Sequence, residues 1–158
     1  MRKFSIIREQ LLQVSIEDAW DFFSNPENLA AITPPEWKFK IVSRLQSTDI
    51  FEGMIINYIV RPLFGIPLKW RTRIVTLNKP FYFVDEQIKG PYQFWEHRHT
   101  FIQKENGVLV RDEIIYQLPF GFAGKIIHSL LVQKKLEEMM DYRANVLEKK
   151  LNYADNIH

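Results

Sequence analysis

The 158-residue sequence predicts an α+β fold: a seven-stranded antiparallel sheet curved around one long C-terminal helix. Three observations predict it. From Pro119 to Leu151 the apolar residues keep helical spacing for about eight turns, far beyond an ordinary helix. Between Trp37 and Leu118 the pattern changes to strand-length alternating runs separated by turn residues. A lone helix of that length does not stabilise itself, so the strands must cover its apolar stripe. A sheet wrapped around one helix leaves room for a cavity, and the functional reading starts there.

The elements follow in chain order. Lys3–Gln13 alternates without breakers and reads as a first strand. Ser15 caps a short helix with Glu17 and Asp18 in its first turn, where the helix dipole favours acids. Ala19, Trp20, Phe22 and Phe23 form its buried side. Asn25-Pro26 starts a second short helix, with Leu29 and Ile32 inward, and Thr33-Pro34-Pro35 ends it. Six strands are expected at Lys38–Gln46, Met54–Arg61, Leu68–Leu77, Phe81–Ile88, Tyr92–Gln103 and Val108–Leu118. Their connections are mostly short, so neighbours should pair antiparallel. On the last helix Phe122, Ile126, Leu130, Leu136, Met140, Leu147 and Leu151 make the stripe, and Ser129 and Gln133 lie near its centre.

Composition narrows the function. The length suits one domain, 1–158, with an ordered core of about 3–151. Aromatic residues reach 14%, with 12 Phe, 6 Tyr and 4 Trp, enough to line a pocket as well as fill a core. A formal charge of +2, with both signs mixed throughout, gives no support for a nucleic-acid partner. The absence of cysteine excludes disulfides, thiolate metal sites and thiol nucleophiles. No apolar run approaches a membrane span, and Arg8-Glu9-Gln10 interrupts the N-terminal run too early for a signal peptide. A cytoplasmic protein is expected. No GxGxxG, phosphate loop or GxSxG occurs.

Alternation sorts the strand side chains. Trp95, His97, His99 and Phe101 share one face, as do Val110, Asp112, Ile114 and Tyr116, and Trp70, Thr72 and Ile74. The opposite faces carry the long charges. The inner face is therefore apolar with a polar minority of Tyr58, Thr72, Asp85, Gln87, His97, His99, Asp112 and Tyr116. A tight turn near Gln103–Gly107 would set His97 opposite Asp112, with Asp85 on the other side. Buried polar groups need partners or trapped water, so the face holds either a closed network or a wet pocket.

Several runs resemble a known family. Ser15 through Leu29 (SIEDAWDFFSNPENL), with Ile32-Thr33-Pro34-Pro35, is similar to the opening of START-like (SRPBCC) proteins, the polyketide cyclase/dehydrase and lipid-transport relatives. Gly90-Pro91-Tyr92, Trp95 through Phe101 and Tyr116 through Gly121 resemble the bacterial branch. Val14-Ser15 departs from the proline that many members carry ahead of the first helix. The resemblance spans Lys3 to Leu151. It implies a helix-grip fold whose seven-stranded sheet grips the last helix around a hydrophobic cavity.

The expected ligand wall comprises Tyr58, Trp70, Thr72, Asp85, Trp95, His97, His99, Asp112, Tyr116, Phe122, Ile126, Ser129, Leu130 and Gln133. Its occupant would be a small hydrophobic or aromatic molecule, lipid-, quinone- or polyketide-like, in a carrier or sensor that needs no cofactor. His97 with Asp112 could alternatively form a carboxylate-oriented general base, with Tyr116, Tyr58 or Tyr92 donating to a developing enolate, as a cofactor-independent cyclase or dehydratase needs. His97-x-His99 has the spacing to share a metal with Asp85 or Asp112, but the resemblance implies none and no metal site is expected. Arg143 reads as a buried salt-bridge partner. Ile127 and Leu131, beside the loop Leu63-Phe64-Gly65-Ile66-Pro67, suggest a hydrophobic entrance with Gly65 as a lid hinge, or equally a homodimer contact. A protein-interaction module is the third reading.

Overall fold

The computed structural model describes residues 2–121, 123, 126 and 128–152. Its sheet has seven strands: β1 Phe4–Leu12, β2 Lys40–Ile41, β3 Ile55–Val60, β4 Leu68–Asn78, β5 Tyr82–Lys89, β6 Phe94–Lys104 and β7 Gly107–Gln117. Their order is β1-β7-β6-β5-β4-β3-β2, antiparallel throughout. The first strand thus closes against the last, from Phe4↔Tyr116 to Leu12↔Val108. Helix α1, Ile16–Phe23, and two 3-10 turns, Pro26–Leu29 and Pro35–Trp37, carry the chain to the far edge. Ser15 accepts from the Asp18 N–H and Asn25 from the Glu27 N–H, as their positions predicted.

Three expectations change. The strand expected at Lys38–Gln46 shrinks to Lys40–Ile41, because a 3-10 turn over Pro35–Trp37 ends with Lys38 in the left-handed region at φ 48°. Its aromatic neighbours Trp37 and Phe39 turn inward instead. The register between β6 and β7 places Asp112 opposite His99 and leaves Asp85 opposite His97. The turn is only Glu105-Asn106, closed by Lys104↔Gly107. Gly107, at φ 141°, passes so close to β1 that a Cβ would run into the Leu12 carbonyl oxygen.

The third change concerns the long helix. It is not one regular α-helix from Pro119: a π-helical stretch at His128–Val132 precedes α2, Gln133–Leu151. A π turn adds a residue and rotates the turns before it relative to the turns after it. The stripe read at constant spacing therefore holds only on the α2 side. Leu136, Met139, Met140, Arg143 and Leu147 are buried, whereas Ile126 is 49% and Leu130 66% exposed.

Two apolar clusters fill the space under the sheet. One gathers α1 and the Phe101 end of β6 with Leu147, and the other gathers Trp70, Trp95 and Tyr116 with Leu136, Met139 and Met140. Polar bonds fasten β1 to the helix. Gln10 Nε2 donates to the Ala144 carbonyl at 2.8 Å, and the Gln13 N–H donates to Asn152 Oδ1 at 2.7 Å.

Candidate ligand cavity

Between these clusters β6 alternates Trp95, His97, His99 and Phe101 inward, so two histidines occupy the seam. A cavity of about 300 Å³ opens there, of the size that holds a small organic molecule. The sheet contributes Ile56, Tyr58, Val60, Trp70, Thr72, Ile74, Phe83, Asp85, Trp95, His97 and His99. Helix α2 contributes Leu136, Met139 and Arg143, and the segments before β2 contribute Leu29, Ile32, Trp37 and Phe39. Pro62 and Leu63 of the β3–β4 loop and Leu118, Pro119 and Phe120 after β7 also line it, so the loop expected at an entrance borders the cavity.

One wall is aromatic. Tyr58 stacks on Trp70 with ring centroids 5.6 Å apart, and Trp70 meets Trp95 edge-on at 5.0 Å. Tyr92 leans on Trp95 at 4.8 Å, while Phe39 packs on Tyr58 at 5.0 Å. Rings this close hold one another in place and present an apolar surface at little entropic cost on binding. Gln87 serves that wall from outside the cavity: its side chain accepts from the Tyr92 N–H at 3.2 Å and donates to the Tyr92 carbonyl at 2.6 Å.

The polar minority is a chain of four side chains. His97 Nε2 lies 2.9 Å from Asp112 Oδ1, and His99 Nε2 lies 3.1 Å from Asp85 Oδ2. These are diagonal contacts across the register, not directly opposite ones. His99 Nδ1 approaches the same Asp112 Oδ1 at 3.0 Å, but without the alignment of a hydrogen bond. Burial lowers the pKa of His97, and the neighbouring His99 charge lowers it further against the pull of Asp112. Burial would also lower His99, but the neighbouring carboxylates of Asp112 and Asp85 outweigh that and raise it. Burial pushes Asp112 up, and the two imidazoles more than reverse it, holding the carboxyl well below its usual range.

These directions assign the protons. An ionised Asp112 only accepts, so His97 Nε2 carries the hydrogen it shares with it. A neutral His97 then keeps an unprotonated Nδ1, the form a general base needs. His99, set between two carboxylates, is the more readily protonated of the two histidines. Burial also raises Tyr58 well above its ordinary pKa, with the Asp85 charge adding to the shift and Arg143 opposing it.

Of the residues the sequence nominated, Tyr58, Trp70, Thr72, Asp85, Trp95, His97 and His99 line the cavity. Asp112 stands behind the histidines and Tyr116 packs beneath Tyr92 and Phe4; both are buried and neither lines the wall. Gln133, at the start of α2, is exposed and donates to Glu137 at 3.1 Å, and Ile126 and Leu130, ahead of or within the π turn, also fall outside the lining. Phe122, Ile127 and the Ser129 side chain lie outside the described residues. The sequence reading missed Trp37, Phe39, Phe83, Met139 and the 3-10 turn residues, although Met139, one position before stripe residue Met140, carried a usable signal.

Asp85, His97 and His99 also offer ligand atoms within 4.8 Å of one another, the one such group among the described residues. Both Nε2 atoms are already hydrogen-bonded to carboxylates, so a cation would have to displace those contacts or use the Nδ1 atoms.

No family model and no curated protein matches the sequence. Solved structures do match. A protein of Thermus thermophilus superposes with TM-score 0.74 at 16% identity, covering 95% of this chain and 98% of its own. A START superfamily protein of Mycobacterium smegmatis gives 0.67 at 16% identity, with 96% and 98% covered. A point mutant of Thalictrum norcoclaurine synthase, in complex with a transition-state analogue, gives 0.65 at 15% identity, with 94% and 96% covered. Identities this low establish a shared fold and leave ligand and reaction to each chain's own residues.

Proposed function

Because the chain has the START-like helix-grip fold, we propose that residues 1–158 act as one ligand-binding domain that holds a small hydrophobic or aromatic molecule as a cytoplasmic carrier or sensor. The mostly apolar, partly open cavity of about 300 Å³ between the sheet and α2 supports this reading. A molecule buried there gains about 25 cal/mol for each Å² of apolar surface removed from water. Native mass spectrometry of gently purified protein is expected to show an organic adduct that solvent extraction removes. Leu136→Trp, which inserts a larger ring into the lining, should lose the adduct for about 1–3 kcal/mol of stability. An adduct retained by that variant would place the binding site elsewhere.

A second reading rests on the protonation of His97: a cofactor-independent cyclase or dehydratase in which the neutral imidazole, oriented by Asp112, removes a proton from a polyketide-like substrate. Under this reading His97→Ala lowers turnover by about 100-fold or more while binding changes little. Under the carrier reading the same change only weakens binding. Paired calorimetry and a substrate panel on the variant separate the two.

A further inference from the structure

Arg143 is the residue the cavity does not explain. It projects from α2 into the lining, is 5% exposed, and no described residue accepts a hydrogen bond from its Nε or Nη1. None of the ion pairs among the described residues includes it. The two carboxylates of the site are engaged by His97 and His99 instead. A guanidinium keeps its charge in a protein, and an uncompensated buried charge is strongly destabilising. Folds retain such a group where something else supplies the counter-charge.

A second donor points the same way. Trp70 Nε1 is buried in the same lining without a partner. Tyr58 connects the two, stacking on Trp70 while feeling the Arg143 charge. The unsatisfied cavity groups at this end are therefore all N–H donors, set against an aromatic wall. The lining lysine, Lys135, bonds Glu138 at 3.1 Å and lies part-exposed.

We propose that the ligand is an amphipathic monoanion, an apolar or aromatic body bearing one carboxylate that Arg143 binds, with Trp70 Nε1 as a further donor. This rests on the ligand-binding reading above and names the chemistry of its occupant. A planar guanidinium fork matches a carboxylate in two parallel bonds. The apolar body would lie along Trp70, Trp95 and Tyr58.

The test uses three probes on the full chain. Neutral N-phenylnaphthylamine reports whether the cavity takes an apolar ring system at all, by its fluorescence. Naphthoate and naphthamide, nearly equal in shape and different in charge, are then compared as competitors. Naphthoate is expected to displace the reporter at roughly tenfold lower concentration than naphthamide, a difference that Arg143→Met abolishes while reporter binding is kept. Arg143→Lys should retain part of the preference, and it serves if the Met variant does not fold. Failure of the reporter to bind would sink the cavity reading itself. Reporter binding with equal displacement by both competitors would overturn only the anion, leaving trapped water as the partner of Arg143. A preference that survives in Arg143→Met would assign the anion to another group.

Discussion

Asp112→Ala is expected to lose about 3–5 kcal/mol of folding stability, seen as a lower urea midpoint with an unchanged slope. One buried oxygen, Asp112 Oδ1, faces both His97 Nε2 at 2.9 Å and His99 Nδ1 at 3.0 Å. Deleting it leaves two buried imidazoles with only Asp85 as a carboxylate partner. Asp112→Asn keeps the volume and one acceptor, so its loss is smaller. The pH dependence has a definite sign. Asp112, lowered in the fold, stabilises above about pH 4 and loses that contribution as pH falls through its folded pKa. His99, raised in the fold, stabilises fully below about pH 6.5 and loses that as pH rises through its folded value. His97, lowered, penalises the fold as pH falls below about 6.5. The histidines act on opposite sides of about pH 6.5, so together they place a stability maximum there, and below it the His97 penalty adds to the Asp112 acid limb. Asp112→Asn should flatten that limb, and an acid limb unchanged in the variant would remove Asp112 from the account.

That network also shows what a sequence discloses. Alternation placed Trp95, His97, His99 and Phe101 on one face, and Asp112 with its apolar neighbours on another, because strand side chains obey a period of two regardless of pairing. Which acid meets which histidine depends on register, which the Glu105-Asn106 turn sets. The sequence reading was displaced by two residues in the strand pairing, which leaves every face intact, and the His97–Asp112 contact survives it as a diagonal hydrogen bond. The helix behaved differently. A π turn has no compositional mark, so the phase of the stripe was correct from Leu136 onward and wrong for Ile126 and Leu130. Arg143 was legible as a buried residue near the stripe. Its want of a counter-charge was not, since that depends on where the carboxylates of β5 and β7 turn, a tertiary property.

Phe101→Ala is expected to cost about 4 kcal/mol, measured by the same denaturant titration. The ring is 2% exposed and packs against Phe23 at 5.4 Å, Trp20 at 5.9 Å and Phe83 at 6.2 Å. Those neighbours come from α1 and β5, two elements fixed by separate contacts, so the space cannot close by a small local shift. The void would adjoin the cavity, because Phe23 and Phe83 line it and Phe83 stacks on His99 at 4.2 Å. The variant should therefore be destabilised and also accept a bulkier apolar probe than the native chain. Saturation with that probe should restore part of the lost stability through linkage. A cost below about 1 kcal/mol would mean that the neighbouring rings collapse into the space, contrary to separately anchored walls. A full cost with no rescue would make the Phe101 cluster a structural base sealed from the cavity, confining ligand contacts to the Trp70, Trp95 and Arg143 end.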